Sequence, residues 1–321
     1  MYRTLAWVSL LLCFVVVTFG AYVRLADAGL GCPDWPGCYG ELTPTQAKAT
    51  IQKVEAAMPS GPVTMPKAWK EMIHRYLAGV LGVLIACMAF MSWANKQPKE
   101  VPRWFPTVLA FAVVMQAVFG MWTVTLLLKP AIVTGHLIGG MTIFCMLGWQ
   151  LIRMRGGRKA ASAGLRTFAK VAFVAVALQV ALGGWVSTNY AALACTDFPK
   201  CHGEWKPEKM DFEHGFTIAR ELGKTKAGDN LSRESLTAIH WTHRVSAIFV
   251  ALIVGTFAWR LRKTKVWSKE AIGVDVLLAT QILLGISNVW FSLPLPIAVA
   301  HNGVAALLLF KLVAVNARMR A

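Results

Sequence analysis

Two ten-residue stretches decide how this chain is built. They are Cys32-Pro33-Asp34-Trp35-Pro36-Gly37-Cys38-Tyr39-Gly40-Glu41 and, 163 residues later, Cys195-Thr196-Asp197-Phe198-Pro199-Lys200-Cys201-His202-Gly203-Glu204. Six of the ten positions match, both cysteines among them. Self-similarity at a fixed spacing marks a structural repeat. Working outward, Gln116 and Gly120 fall on Gln281 and Gly285 at a shift of 165, and His136 falls on His301 at the same shift. His74-Arg75 falls on His243-Arg244 at a shift of 169, so the spacing drifts only with loop length.

What repeats is membrane-spanning. The chain has 321 residues, of which 56% are hydrophobic and only 15% charged; soluble domains carry nearer a quarter charged residues. The apolar residues come in eight blocks, roughly 5–23, 72–94, 104–127, 131–152, 168–189, 236–259, 272–293 and 296–315. Several reach 18 residues or more, enough to cross a hydrocarbon core. A soluble enzyme and a disordered chain are excluded. The first block runs past the length of a signal-peptide core without a convincing cleavage site, so it reads as a retained span. The expected fold is an all-α integral membrane protein: eight transmembrane helices in two tandem four-helix bundles of the same orientation, residues 1–157 and 158–321.

The net charge of +17 follows the same plan. With the N-terminus in the cytoplasm, the segments sharing its side carry seventeen basic residues, from Arg3 to Arg320, against the acids Glu100 and Glu270. The long loops on the other side, about 24–71 and 190–235, are close to neutral. This asymmetry places both termini in the cytoplasm, with the chain multi-pass in the membrane. The basic charge is topology, with the bilayer as partner and no nucleic acid.

Both cysteine pairs lie in the exported loops, where oxidation is permitted, so disulfides Cys32–Cys38 and Cys195–Cys201 are expected as loop staples. A redox-active pair exchanging with a thioredoxin-like partner and a zinc site built with His202 are the alternatives. A c-type haem is excluded because Cys-x-x-Cys-His is absent. Cys13, Cys87 and Cys145 lie within spans and are expected as buried apolar filler.

His74, His136, His240, His243 and His301 fall within or at the ends of spans, near the exported side. Ionisable groups there are costly and mark function. Each half brings two histidines, from its second and fourth spans, to a similar depth. Two opposed imidazoles in an apolar bundle suit haem iron, whereas a mononuclear zinc site wants a third or fourth ligand. The small residues Gly79, Gly82, Gly139, Gly140 and Gly303 favour close approach of helices or a flat macrocycle. Arg75 and Arg244, beside the ligands, are candidate partners of haem propionates, as is Arg24. The halves differ in one acid: Glu71 lies one turn outward from His74, and its counterpart is His240. Arg24 is matched by Ser187, and Trp122 by Ser287.

Taken together, these residues resemble the haem A synthase family over essentially the whole chain. The resemblance rests on the four-plus-four spans, Glu71-x-x-His74-Arg75, His136, His243-Arg244, His301 and the two cysteine pairs. It implies oxidation of the C8 methyl of haem O to a formyl group by successive hydroxylations, giving haem A for terminal oxidases. It also implies that His74 and His136 hold the substrate haem, that His243 and His301 are axial ligands of a haem b cofactor, and that Glu71 is catalytic. The farnesyltransferase that makes haem O is the expected upstream partner, and the electron donor or acceptor is unspecified. His240 is an auxiliary position whose role as alternative ligand, proton carrier or propionate partner stays open. Two other functions compete: a two-haem b-type cytochrome that only transfers electrons, and a membrane thiol–disulfide oxidoreductase using the loop cysteines. In the exported loops, helical spacing of Ala47, Ile51, Val54 and Met58, and of Phe212 and Phe216, predicts short surface helices. His202 and His214 are expected to be solvated.

Overall fold

The computed structural model describes residues 1–59 and 61–320. Among them, eight helices are long and apolar enough to cross a membrane. They are α1 (Tyr2–Leu25), α3 (Met65–Trp93), α4 (Trp104–Thr125), α5 (Pro130–Arg155), α6 (Ala163–Thr188), α8 (Arg233–Lys263), α9 (Ser268–Trp290) and α10 (Leu295–Arg318). Two shorter helices, α2 (Lys48–Ala57) and α7 (Phe212–Gly215), lie in the long loops. The chain is a multi-pass membrane protein.

Local chemistry sets the helix ends. Thr64, Ser162 and Ser232 accept from the backbone N–H three residues on and so cap α3, α6 and α8. Proline opens α5 and α10 within the first turn, where its missing N–H costs nothing. The last turns of α5 and α8 carry Arg153, Arg155, Arg260, Arg262 and Lys263, which complement the helix dipole at the basic membrane face. Helices α3 and α8 begin before the apolar blocks at 72 and 236, because backbone hydrogen bonding and caps continue through charged residues such as Lys67, Lys70 and Glu71. The extension of α3 includes Glu71, while His240 lies in the second turn of α8.

In the first half α1 packs on α3 and α5, and α4 on α3 and α5, closing a ring of four; α6, α8, α9 and α10 close an equivalent ring. The rings meet through α1 on α10, α5 on α6, and α5 on α10. Phe14, Phe144 and Phe310 interlock at this seam, with ring centroids 5.8 and 5.7 Å apart. Gly303 sits under α1, where a Cβ would lie 3.2 Å from Thr18 Cγ2. In lipid, such close packing, rather than water exclusion, is what holds helices together.

The repeat extends to single backbone conformations. The left-handed residues Asp27, Tyr39, Leu127 and Leu128 recur as Tyr190, His202, Ser292 and Leu293. Asp34 accepts from the N–H groups of Tyr39 and Gly40, as Asp197 does from His202 and Gly203. Desolvation opposes ionisation of Asp197, but the N–H groups of Gly203 and His202 outweigh it and hold the carboxyl below the usual range. Where the halves touch at the end bearing the long loops, repeat mates meet each other. Arg24 donates to the Ser187 carbonyl (2.7 Å) and Tyr190 Oη donates to Asp27 (2.8 Å), each across 163 residues, with the Arg24 guanidinium 4.0 Å from the Tyr190 ring centre.

Three sequence expectations are corrected. Cys87 is exposed on the outside of its helix and is not buried filler; of the other two, Cys13 is buried and Cys145 partly so. Gly79 is also exposed, with no group near a built Cβ, so it serves no close approach. The loop helix α2 does bury Ala47 and Ile51, but Met58 beyond its end is exposed.

At the basic face, strand β1 (Lys159–Ala160) of the inter-bundle linker pairs in parallel with β2 (Met319–Arg320). Glu270 of α9, 7% exposed, pairs with Lys159 (2.9 Å) and Arg318 (3.5 Å) and so ties linker, C-terminal segment and α9 together. Its other oxygen has no partner. Removing one partner of a buried pair costs about 3–5 kcal/mol, and solvent screening at Lys159, 34% exposed, reduces this. Glu270→Ala is therefore expected to lower stability by about 1–2 kcal/mol, read as a reduced thermal midpoint in detergent.

Candidate functional site

Four histidines are set into the two rings by one device. Each imidazole lies against a glycine of the neighbouring helix. A Cβ built on Gly20 (α1) would stand 2.9 Å from His74 Cε1, and one on Gly120 (α4) 3.2 Å from His136 Cε1. In the second half Gly183 (α6) meets His243 and Gly285 (α9) meets His301, each at 3.1 Å. Glycine is required here for space, since the ring occupies the volume a side chain would fill. Gly120 and Gly285 were visible in the repeat, although their facing the histidines was not. Gly20 and Gly183 were missed: they are repeat mates at the 163 shift, and that spacing was the available signal.

Within each half the two imidazoles lie within charge–charge range of each other. The Nδ1 atoms of His74, His136 and His301 are buried without a hydrogen-bond partner among the described residues. A buried, unpaired ring nitrogen is costly unless something binds it. The shared glutamines reach in from the third span of each half: Gln116 Nε2 donates to the His136 carbonyl (2.7 Å), and Gln281 Nε2 lies 3.2 Å from His301 Nε2. His243 differs. Gln179 Nε2 lies 3.1 Å from its Nδ1 and donates to its carbonyl at 2.9 Å, while Ser246 Oγ donates to Gln179 Oε1 at 2.6 Å.

The long cysteine-bearing loops are bolted to the same helices. Cys32–Cys38 and Cys195–Cys201 are disulfides with Cα atoms 4.8 and 4.9 Å apart. Glu71, buried, accepts from the Cys32 N–H (2.9 Å) through one oxygen and pairs with Arg75 Nη2 (2.5 Å) through the other. The Arg75 guanidinium in turn donates to the carbonyls of Cys32, Asp34, Pro36 and Gly37. In the second half the same knot is tied with an imidazole. Cys195 N–H points at His240 Nδ1 (3.2 Å), Arg244 Nε at His240 Nε2 (3.1 Å), and Arg244 donates to the carbonyls of Cys195, Asp197 and Lys200. His240 thus stands where Glu71 stands, as the acceptor that anchors its loop. A neutral imidazole accepts at one ring nitrogen and carries its proton on the other, so only one of these two approaches is a hydrogen bond at a time.

The structure therefore brings together His74 with His136 and His243 with His301, and puts Glu71 and His240 at the mouths of their halves. The Arg75 and Arg244 guanidinium groups are engaged with loop carbonyls, and Arg24 with Ser187 and Asp27. Cys195, Cys201 and His202 lie close together, but the sulfurs are bonded to each other, which leaves no thiolate for zinc. His202 and His214 are exposed; the His202 ring meets the Ala194 carbonyl and the His214 ring meets Asp211.

Gly31 lies where the first loop meets α3, and a Cβ there would stand 2.7 Å from the Ala68 nitrogen and the Lys67 carbonyl carbon, which are backbone and cannot yield. Gly31→Ala is expected to cost about 1–3 kcal/mol and to loosen the loop, measured as faster proteolysis within residues 24–64. Gly79→Ala, facing open space, should leave that rate unchanged.

The arrangement matches known proteins along its length. A family model described as cytochrome oxidase assembly protein (COX15-CtaA) matches residues 3–313. A protein named heme A synthase from Shewanella oneidensis is 39% identical over 313 residues, covering 96% of this chain and 94% of its own. Proteins of the same name from Halalkalibacterium halodurans and Rhizorhabdus wittichii are 24% and 27% identical, covering 92% and 93% of this chain and 89% and 88% of their own. With the repeat, the paired histidines and the stapled loops in register from end to end, this chain belongs to the cytochrome oxidase assembly protein family.

Proposed function

We propose that this protein is a haem A synthase, an oxidoreductase that converts the C8 methyl of haem O to a formyl group by successive hydroxylations. The observation that carries this reading is the pair of facing histidines in each half, each ring seated on a glycine and three of the four with a buried, unpartnered Nδ1. That donor set, in an apolar bundle, fits bis-histidine haem. His74 and His136 hold the substrate haem O, and His243 and His301 hold haem b. The long isoprenoid tail of haem O suits a pocket opening to lipid between helices.

When bound, haem b supplies one-electron redox chemistry beside the substrate half. The chain's own residues do the rest. His74 and His136 orient the macrocycle. Glu71, fixed by Cys32 N–H and Arg75 one turn outward from His74, takes up protons at its carboxylate as methyl hydrogens are removed. In the second half that position is His240, and no acid stands beside the haem b ligands. Arg75 and Arg244 hold the loop carbonyls over the two halves, and Arg24 joins the halves through Ser187 and Asp27. The farnesyltransferase that makes haem O is the upstream partner.

The test is haem extraction and chromatography from the purified protein, with and without that farnesyltransferase co-expressed. Haem b alone, joined on co-expression by haem O and haem A, is expected; haem b alone in both would leave an electron-transferring cytochrome. In the co-expressed protein, His74→Ala is expected to lose haem O and haem A while keeping haem b, and His243→Ala to lose haem b. Glu71→His copies the anchor used in the second half, so the loop stays in place while the carboxylate goes. This variant is expected to bind both haems and to stall at haem O or the alcohol; normal haem A yield would make Glu71 a loop anchor only.

The basic ends of the helices orient the protein with both termini in the cytoplasm of the bacterial inner membrane. A periplasm-dependent phosphatase reporter is expected to be active when inserted near Lys226 and inactive when fused after Ala321.

A further inference from the structure

The repeat makes a residue-by-residue comparison of the four ligand histidines possible, and one difference stands out. The first-span glycines, Gly20 and Gly183, are mates at the 163 shift, so Gln179, one turn before Gly183, corresponds to Val16. The His-Arg pairs are mates at 169, so Ser246, three residues after His243, corresponds to Leu77. Gln116 and Gln281, by contrast, are shared. Each half therefore keeps a glutamine beside its fourth-span histidine, with Gln116 on the His136 carbonyl and Gln281 on the His301 ring, whereas beside the second-span histidines the residue types themselves differ. His243 is held by Gln179 and Ser246 through its ring and its carbonyl. His74 has hydrocarbon at both positions, and its Nδ1 has no partner among the described residues.

Resting on the reading above, we propose that Gln179 and Ser246 are positioning residues that make His243 a fixed haem ligand, and that their replacement by Val16 and Leu77 makes His74 an exchangeable one. A ligating imidazole normally donates its second ring N–H to a partner, which fixes the tautomer and orientation and raises ligand basicity. The Gln179 amide offers a donor and an acceptor, and the Ser246 hydroxyl offers both, so the pair can satisfy His243 with the proton on either nitrogen. Among the described residues no hydrogen-bond partner holds the His74 Nδ1, and the ring is kept in place by packing on Gly20 and stacking on Phe19. The division suits the two tasks: a cofactor haem must stay, whereas a substrate haem must enter, react and leave.

The experiment measures haem loss, independent of turnover. Purified full-length protein carrying haem b and haem O is mixed with excess apomyoglobin, and haem transfer is followed by absorbance and by chromatography of the myoglobin-bound haem. Wild-type protein is expected to give up haem O first. The double variant Gln179→Val with Ser246→Leu is expected to lose haem b about 10- to 100-fold faster. The reciprocal variant, Val16→Gln with Leu77→Ser, is expected to release haem O more slowly by a similar factor. Because one variant is predicted to loosen and the other to tighten, general destabilisation cannot mimic both. Unchanged rates in both variants, or haem b leaving before haem O in the wild type, would overturn the inference. Wild-type protein that carries no haem would overturn the functional reading instead.

Discussion

Four imidazoles are packed between membrane helices where the facing helix gives up its side chain. That steric condition is met at Gly20, Gly120, Gly183 and Gly285, and the rest of the site is arranged around it. Each glycine lets two helices close on a ring that is polar at two atoms and flat elsewhere. The histidines are thus oriented by backbone surfaces before any hydrogen bond is considered. In hydrocarbon, where helix association rests on close contact, the same glycines also let the rings of helices pack tightly. Site and scaffold are therefore one constraint.

On that common frame the halves diverge through a few polar substitutions. At the rim where the long loops meet the helices, a carboxylate and an imidazole occupy the same place, each lying between a cysteine N–H and an arginine while that arginine gathers the loop carbonyls. Deeper in, an amide and a hydroxyl brace one histidine where valine and leucine leave its mate to packing alone. Chemical difference between two sites of nearly equal shape can thus come from groups that anchor and brace as much as from groups that react.

Much of this was legible before any coordinates. Long apolar runs are read by their length, and a repeat is read by matching, so the eight spans, the cysteine pairs and the four paired histidines came directly from the chain. Helix starts were placed late, because apolarity stops at Lys70 and Glu71 while backbone hydrogen bonding does not. Arg75 and Arg244 looked available for propionates because a sequence cannot show that a loop folds its carbonyls back onto them. Cys87 and Gly79 looked buried because a span apolar all round gives no sign of which face meets lipid. The His240 role was open for the same reason: its meaning lies in the N–H of Cys195, forty-five residues away.

The meeting of Arg24 with Ser187 and of Asp27 with Tyr190 has a consequence for how such a chain could arise. Positions that contact their own repeat mates are those lying close to the axis relating the halves. In a dimer of two identical four-helix units, each would face a copy of itself: arginine against arginine, aspartate against aspartate, like charges at close range. When the two units differ in sequence, a carboxylate can find a phenol across the axis and a cation need not face its own copy. Two identical subunits would keep those like charges at the seam.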